Sequence, residues 1–314
     1  MEIKDGFLII DKPAGWTSHD VVAKMRNLLK TKKVGHTGTL DPMATGVLPI
    51  CFGRGTKIAQ LLIEADKGYQ AVMRLGESTD TQDATGKTIK KSEIHSIDAN
   101  TVCKAVNEFL GRISQVPPMY SAVKVGGSPL YKRARAGEVI DRKPRDIVIK
   151  KIRVLAIEGM DVTLDIVCSK GTYIRTLCSD IGDRIGIGAH LIGLKRLRSG
   201  LFSIDKAFTI EQIEGLIKSG NLYQAAYTLD MVLSDLPIIV VSKMIAERIA
   251  NGLPSIANEM GRGKGLDSLG KGERFRVHDE DGKLLAIGSL GAKDSRITKT
   301  ESDHRLKIEK VLIS

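Results

Sequence analysis

The chain has 314 residues, with 48 lysines and arginines against 37 aspartates and glutamates, so its formal charge is +11. Hydrophobic residues make up 42% and charged residues 27%, a balance that excludes an intrinsically disordered chain. The longest apolar runs fall far short of the ~18 residues that a membrane-spanning helix needs, which excludes a helical membrane protein. A chain of this length is expected to form about two domains.

Cellular location and redox state are predicted from the first residues and from the cysteine spacing. The opening sequence MEIKDGFLII lacks the apolar core and the small-residue cleavage site of a secretory signal peptide. No two cysteines have the CxxC spacing of a zinc site, and their scatter does not indicate a disulfide framework. We therefore expect a cytoplasmic protein with four free thiols, at Cys51, Cys103, Cys168 and Cys178.

The spacing of apolar residues over positions 1–218 predicts a mixture of helices and strands. Ser18 and Asp98 are suited to cap helices, and Gly111 is suited to end the second of them. A turn at Glu158-Gly159 joins two of the strands. In chain order, the predicted elements are strand 7–10, helix 18–29, helix 56–63, strand 70–75, helix 98–110, strand 147–157, strand 162–168, helix 172–185 and helix 209–218.

A small C-terminal module is predicted beyond an acidic stretch at residues 219–236, which we interpret as a domain boundary. The module has about 78 residues and mixes one helix with several strands. A glycine-rich piece at 261–272 is predicted to be a flexible loop within it. Its predicted elements are strand 238–241, helix 242–250 and strands 275–278, 284–290 and 306–312.

Positive charge is concentrated in residues 121–150, where eight basic residues stand against three acidic ones. Tyr120 and Tyr131 lie beside these charges, and basic groups interleaved with aromatic rings suit an RNA backbone with bases to stack. The prolines and glycines of residues 115–137 predict a long exposed insertion. The composition is compatible both with a solvated surface and with an RNA-binding arm.

The densest cluster of glycines and prolines lies at residues 35–55, which contain five glycines and two prolines. This density predicts a shaped, irregular backbone. Asp41 stands at its centre, and Pro42 pushes it out of the helical region. Taken alone, the pair is typical of a turn. The segment matches neither the phosphate-binding loop of nucleotide hydrolases nor the glycine pattern of dinucleotide-binding folds.

This segment is one of several that resemble the TruB family, the bacterial tRNA pseudouridine-55 synthases. The resemblance covers residues 6–235, and the C-terminal module is similar to the small RNA-binding PUA domain. It implies an α+β fold, with a synthase domain built on a mixed or antiparallel sheet at 1–236 and a PUA-like domain at 237–314. The matching segments are DKPAGWTSHDVV (11–22), GHTGTLDPMATGVLPI (35–50), KGY (67–69), DTQDATG (80–86), VPPMYSAVKVGG (116–127), CSKGTYIRTLCSDIG (168–182) and GAHLIGLKRLRSG (188–200).

The resemblance implies a reaction in which uridine 55 of the tRNA T loop is flipped out, and its uracil is detached from ribose C1′ and rejoined through C5. By resemblance, Asp41 is the catalytic carboxylate, although the sequence leaves open whether it attacks C1′, attacks C6 or removes a ribose proton. Tyr69 matches a tyrosine that stacks on the uracil and helps to remove the C5 proton. Arg175 matches the arginine that pairs with the carboxylate. No metal, nucleotide or redox cofactor is expected.

Five further positions match residues around the family's site. Tyr173 and Leu194 match pocket residues, and Lys12 matches a lysine near the active site. Asp83 matches an aspartate of the active region, and His36 matches a histidine that remodels the RNA. Each of them also has a structural interpretation, as a core residue, a surface charge or part of a turn.

The partner implied by the resemblance is the T arm of tRNA. The insertion, taken as residues 115–146, is expected to grip it through Lys132, Arg133 and Arg135, with a disordered loop as the alternative. No membrane and no obligatory protein partner are expected, and the chain is expected to be a monomer. Two rival hypotheses remain: a guide-RNA-dependent synthase of the Cbf5/dyskerin type and a non-catalytic tRNA-binding or folding protein. The insertion favours the stand-alone class, because it would supply the RNA grip that the guided enzymes delegate to partners.

Overall fold

The computed structural model describes residues 3–94, 96–121, 123–138, 140–251, 272–290 and 306–313. The described elements form the mixed α+β fold that was expected, with one large mixed sheet and a separate small sheet. Of the predicted glycine-rich loop 261–272, only Gly272 lies within the described residues. None of the described helices is long and apolar enough to cross a lipid bilayer.

Each helix and strand predicted from the sequence has a counterpart in the structure. The strands are β1 (Gly6–Lys12), β2 (Val34–His36), β3 (Thr45–Phe52), β4 (Lys67–Leu75), β5 (Glu77–Thr79), β6 (Thr88–Lys91), β7 (Gly111–Gln115), β8 (Lys124–Val125), β9 (Ser128–Pro129), β10 (Arg145–Glu158), β11 (Asp161–Cys168), β12 (Ala189–Ser199), β13 (Phe202–Ser203), β14 (Ala226–Tyr227), β15 (Ile238–Val241), β16 (Arg274–Asp279), β17 (Leu284–Leu290) and β18 (Leu306–Val311). The α-helices are α1 (Ser18–Leu28), α2 (Ala59–Ile63), α3 (Ala99–Asn107), α4 (Leu130–Arg135), α5 (Ile174–Ile185), α6 (Ile210–Lys218), α7 (Leu229–Val232) and α8 (Lys243–Ala250).

The large sheet is organised around β12. Its main path runs β14-β1-β3-β12-β4-β11-β10-β7, with β2 beside β3 and β13 beside β12. β12 pairs parallel with β3 and antiparallel with β4. The amino ends of β3 and β4 and the carboxyl half of β12 therefore meet in one region of the sheet, whereas β2 pairs with the carboxyl end of β3.

The pattern of apolar residues explains which elements are buried in the core of the protein. β3 is buried at every position from Gly46 to Phe52, as expected for a strand with neighbours on both sides and cover on both faces. β11 alternates between buried and half-buried residues, so only one of its faces is fully covered. Helix α5 packs on β12 through Leu177, Cys178 and Ile181, which are spaced for a single helix face.

The N-terminal cap of α1 differs from the prediction. Thr17, not Ser18, is the cap, because its side chain accepts the Asp20 N–H while the Asp20 carboxylate accepts the Thr17 N–H. Ser18 is buried inside the first turn, where its hydroxyl accepts the Leu40 N–H at 2.8 Å. Thr17 therefore caps α1, and Ser18 instead ties the helix to the loop before β3.

The prediction of an irregular backbone over residues 35–55 was wrong for most of that segment. β2 ends inside this segment, and β3 runs through it. Only residues 37–44, between these two strands, form an irregular loop, and a 3₁₀ turn at Gly53–Lys57 follows β3. The glycines and prolines obscured β3, since Pro49 is unusual in an interior strand. β12 was not predicted as a strand either, although it is the centre of the sheet.

The insertion at 115–146 is more regular than a long exposed loop. It joins β7 to β10, which pair with each other, and contains the β8–β9 hairpin and helix α4. Leu130, the first residue of α4, is fully buried, and its N–H donates to the Val123 carbonyl at 2.8 Å. The insertion therefore has a packed base that fixes where α4 starts.

The small sheet, in the order β15-β16-β17-β18, is docked on the large one. Ile287 and Leu312 join an apolar cluster with Phe7 and Ile9 of β1. A polar junction centred on Asp230 lies beside this cluster, whose members include the flanking residues Leu229 and Val232. Apolar contact and charge pairing therefore act on the same face.

The polar junction centres on one carboxylate oxygen. Asp230 Oδ1 lies 2.8 Å from Arg276 Nη1 and 2.9 Å from His278 Nε2. The Arg276 guanidinium also donates to the carbonyls of Leu236, at 2.9 Å, and Ser234, at 3.2 Å. Arg276 and His278 belong to β16 and are buried, so Asp230 serves two polar groups that have little access to water.

We predict that Asp230→Ala lowers the free energy of unfolding by about 1–3 kcal/mol, because it leaves two buried polar groups of β16 without their shared acceptor. Asp235→Ala, which removes an exposed aspartate from the following segment, should change it by no more than about 0.5 kcal/mol. Urea unfolding followed by circular dichroism measures both. Equal losses in the two variants would contradict the role assigned to this junction.

Candidate active site

The structure brings three of the predicted residues into direct contact. Asp41 lies in the loop between β2 and β3, Arg175 in the first turn of α5, and Asp83 in the turn after β5. Arg175 Nε is 2.8 Å from Asp41 Oδ2, and its Nη1 is 3.2 Å from Asp83 Oδ2. Arg175 therefore stands between two carboxylates that come from distant parts of the chain.

Further hydrogen bonds fix the Arg175 guanidinium in this position. Its Nη1 donates to the Thr81 carbonyl at 3.3 Å, and its Nη2 donates to the Tyr120 carbonyl at 2.9 Å. The residue is 5% exposed, so these contacts replace those that water would make. The bond to Tyr120 also connects the insertion to the site through its backbone.

The Asp41 carboxylate is the exposed member of this cluster. Its side chain is 36% exposed, whereas the side chains of Arg175 and Asp83 are each 6% exposed. Burial raises the pKa of Asp41, and the charge of Asp83 acts in the same direction, while Arg175 and Lys12 oppose the rise. A carboxylate with one edge open and a fixed cation behind it is suited to act on a bound molecule.

Asp83 forms a turn with one carboxylate oxygen and an ion pair with the other. Its Oδ1 accepts hydrogen bonds from the Thr85 N–H at 3.0 Å and from the Thr81 hydroxyl at 2.7 Å, which form the turn. Its Oδ2 meets Arg175. The turn is also tied to the central strand, since the Ala84 N–H donates to the Leu191 carbonyl of β12.

Lys12 is buried at the end of β1, which rules out the solvated surface lysine that was its alternative. Its ammonium donates to the carbonyls of Trp16, at 2.6 Å, Pro13, at 2.9 Å, and Pro42, at 3.2 Å. Burial lowers its pKa to about 8. Lys12 thus holds the 13–16 loop against the residue that follows Asp41.

The two tyrosines occupy different environments. Tyr69 on β4 is 8% exposed, and burial raises the pKa of its hydroxyl, an effect that Arg196 opposes. Tyr173 is half-buried at the amino end of α5. Its backbone is clamped by the Gln115 side chain, which accepts the Tyr173 N–H at 2.9 Å and donates to the Tyr173 carbonyl at 3.1 Å.

His36 and Leu194 lie on the strands that flank this region. His36 is half-buried on β2, and its Nδ1 accepts the Gly38 N–H at 3.3 Å. Burial lowers its pKa, and the charges of Arg196 and His19 lower it further, so the neutral imidazole is favoured. Leu194 is half-buried on β12 and packs against the main core.

The basic residues predicted to grip RNA lie outside this cluster. Lys132, Arg133 and Arg135 all belong to α4 of the insertion. The guanidinium of Arg133 lies 3.8 Å from the Glu138 carboxylate, a long ion pair. Within the described ranges, no three histidine, cysteine, aspartate or glutamate side chains are grouped so as to hold a metal ion.

Sequence reasoning missed one residue of the site, Arg196 on β12. It is 1% exposed, and it donates to the carbonyls of Val47, at 2.7 Å, Gly38, at 3.1 Å, and Thr39, at 3.4 Å. The sequence offers three basic residues within four positions here and does not distinguish the buried one. The strand register distinguishes it, because Arg196 is the residue that lies opposite Tyr69 across the β4–β12 ladder.

Comparison with family models gives two matches along the chain. The model described as TruB family pseudouridylate synthase (N terminal domain) matches residues 26–174. The model described as tRNA pseudouridylate synthase B C-terminal domain matches residues 175–240. The two matches meet at Arg175, so the residues of the cluster are divided between them.

Curated relatives and solved structures resemble the chain over nearly its whole length. The tRNA pseudouridine synthase B of Geobacter sulfurreducens is 43% identical over 296 residues, which cover 94% of this chain and 97% of the relative. The tRNA pseudouridine synthase B of Bacillus subtilis is 43% identical over 289 residues, which cover 90% of this chain and 92% of the relative. The crystal structure of a Cbf5-Nop10-Gar1 complex contains a chain with 28% identity and a TM-score of 0.74, and the match covers all of this chain and 86% of that one.

We predict that Gly46→Ala is more destabilising than Gly111→Ala. Both glycines have a positive φ, +97° and +98°, which strains an alanine at either position. A Cβ on Gly46 would lie 2.2 Å from the Arg196 carbonyl oxygen, whereas one on Gly111 meets nothing within 4 Å. Strain should cost each variant about 1–2 kcal/mol, and the clash should cost Gly46→Ala about 1–3 kcal/mol more. Equal unfolding free energies from urea denaturation would refute this.

Proposed function

The chain belongs to the TruB family of pseudouridylate synthases, and we propose that it converts uridine to pseudouridine at position 55 in the T loop of tRNA. The observation that carries the proposal is the 2.8 Å ion pair between Asp41 and Arg175 inside segments that match the family. The names of relatives at 43% identity support tRNA as the substrate. A carboxylate oriented by a buried cation suits glycosidic bond exchange.

We assign Asp41 to the exchange itself. The C1′–N1 bond breaks, the uracil turns, and a C1′–C5 bond forms. The carboxylate has an open edge for the ribose or the base, and Arg175 favours its ionised form. Asp83 and the carbonyls around Arg175 keep the guanidinium in place, so the carboxylate is oriented before the RNA arrives.

Tyr69 is assigned to the uracil. Its ring stacks on the flipped base, and its oxygen takes the proton that C5 loses when the new bond is complete. Tyr173 and Leu194 are assigned to the walls of the pocket, and Lys12 to holding the neighbouring loop. His36, in the neutral form that its surroundings favour, is assigned to the RNA rearrangement that exposes the uridine.

RNA binding is assigned to two regions outside the pocket. The insertion, with its basic helix α4, grips the T arm, a role supported by the hydrogen bond from Arg175 to the Tyr120 carbonyl of the insertion. We propose a synthase domain at 1–236 and a PUA-like RNA-binding domain at 237–314, docked through the Asp230 junction. The protein is proposed to act in the cytoplasm as a monomer without a protein partner.

A guide-RNA-dependent synthase is the second candidate, favoured by the likeness to the Cbf5 chain in a solved Cbf5-Nop10-Gar1 complex. The identity to the curated tRNA synthases is higher and favours the stand-alone enzyme. Incubation of the pure chain with an unmodified tRNA transcript, followed by chemical mapping of pseudouridine, distinguishes the two. Modification at position 55 without other RNA supports the proposal, and a requirement for a guide RNA overturns it.

We predict that Asp41→Asn abolishes pseudouridine formation and leaves tRNA affinity within a few fold, since the amide keeps the shape but loses the charge. Asp235→Asn makes the same change at an exposed turn outside both regions assigned to RNA binding and should leave both unchanged. Mapping of the product and filter binding measure the two properties. Retained activity in Asp41→Asn would exclude the catalytic role of this residue.

We predict that Lys132→Glu, Arg133→Glu and Arg135→Glu together weaken tRNA binding and flatten its dependence on salt. Loss of about three phosphate contacts should reduce the slope of log affinity against log salt by about 2–3. Lys87→Glu, Lys90→Glu and Lys91→Glu together make the same change in net charge on the exposed β6 region and should have a smaller effect. Equal slopes in the two triple variants would remove α4 from the RNA interface.

A further inference from the structure

Arg196 is a buried cation whose hydrogen-bond partners carry no charge. Each of its three nitrogens donates to a backbone carbonyl, of Gly38, Thr39 or Val47. Among the described residues, no carboxylate forms an ion pair with it, in contrast to Arg175, which has two. A buried charge that is solvated only by dipoles exerts a strong field on its neighbours, because no counter-ion cancels it.

The position of Arg196 links the parts of the site that are otherwise independent. Two of its carbonyl partners, those of Gly38 and Thr39, belong to the loop that carries Asp41. On its other side, it pairs with Tyr69 across the β4–β12 ladder. Register shifts lie on both sides of this stretch, between Leu191 and Gly193 and between Arg196 and Arg198. Such bulges re-aim side chains, which here places an arginine between Tyr69 and the loop.

Arg196 is the cross-strand neighbour of Tyr69, and three charged or polar groups act on the Tyr69 hydroxyl. The charge of Arg196 lowers the pKa of this hydroxyl and so favours the phenolate. Cys168 on β11 and Asp41 on the loop favour the neutral phenol, as burial does. Arg196 is therefore the cation that opposes the other influences on this hydroxyl.

We propose that Arg196 is a positioning residue that holds the Tyr69 oxygen in register with the Asp41 loop and stabilises the Tyr69 phenolate as it takes the C5 proton. The proposal rests on the proposed function, since it assigns a partner to the tyrosine of that reaction. The phenol first loses its proton to water. Its phenolate oxygen then takes the proton from C5, the electron pair of the C5–H bond restores the C5–C6 double bond, and the electron pair of the N1–C6 double bond moves to N1, which takes a proton from water.

The coupling is tested directly by replacing tyrosine with difluorotyrosine and following each ring by ¹⁹F NMR as the pH is raised. The fluorinated phenol is more acidic, which keeps the titration in a range where the fold persists. The chain has 6 tyrosines, and Tyr69→Phe identifies the signal. Arg196→Met should raise the pKa of this ring by about one pH unit or more. Arg196→Lys, which keeps the charge, should leave it near the wild-type value.

Arg198→Met is the matched control, because this neighbouring arginine donates to the Gly200 carbonyl and does not face Tyr69. It should leave the Tyr69 titration unchanged. If Arg196→Met does not fold, the comparison of Arg196→Lys with Arg196→Gln carries the test, since both keep a donor and only one keeps the charge. Equal titration of Tyr69 in these two, or in Arg196→Met and wild type, overturns the proposal.

The consequence for catalysis is tested with tRNA that carries deuterium at C5 of its uridines. In Arg196→Met, the single-turnover rate should fall by about tenfold to a hundredfold, its rise with pH should move to higher pH, and the isotope effect should grow. A role in packing alone would lower the rate without moving the pH profile or the isotope effect, and that result overturns the proposal. A wild-type chain without activity contradicts the proposed function instead, while the NMR titration still decides the Arg196–Tyr69 coupling.

Discussion

The register of β12 is the constraint on which the site depends. This strand is the seam between a parallel pairing with β3 and an antiparallel pairing with β4. Arg196 stands opposite Gly46 on one side and Tyr69 on the other. Because side chains alternate between faces, a slip of one residue would turn Arg196 away from the Asp41 loop. The close contact at Gly46 opposes a change in this pairing.

The two buried arginines are stabilised by different kinds of partner in the absence of water. Arg175 is neutralised by Asp41 and Asp83, so its field is largely cancelled nearby and its main effect is to orient the Asp41 carboxylate. Arg196 is surrounded by carbonyls, and its charge therefore extends to Tyr69, His36 and Lys12, where it favours deprotonation in each case. One buried cation therefore orients a carboxylate, and the other lowers the pKa of the groups around it.

The sequence predicted the local elements well because their signals are local. Asp98 marked the start of α3, and alternation marked β10. The prediction that Gly111 ends this helix was wrong, because the helix ends at Asn107 and Gly111 begins β7. The resemblance identified Asp41 and Arg175, but their contact depends on how the loop before β3 meets the first turn of α5, which local pattern does not encode. Pro49 made β3 hard to predict, because proline is unusual inside a sheet. Arg196 could not be distinguished from its basic neighbours Lys195 and Arg198, because its burial depends on how β12 pairs with β3 and β4.

The basic residues of the chain fall into a buried group and an exposed group, which interact with different partners. Lys12, Arg175 and Arg196 are buried and committed to carbonyls and carboxylates, so they are not available to pair with phosphates. Attraction to a polyanion must come from exposed groups, whose interactions are screened by salt, while the buried cations are screened far less. Binding and chemistry in this protein should therefore respond differently to ionic strength: affinity should fall steeply as salt rises, whereas the rate within the bound complex should hardly change. The separation follows from where the fold puts its arginines and lysines, not from how many it has.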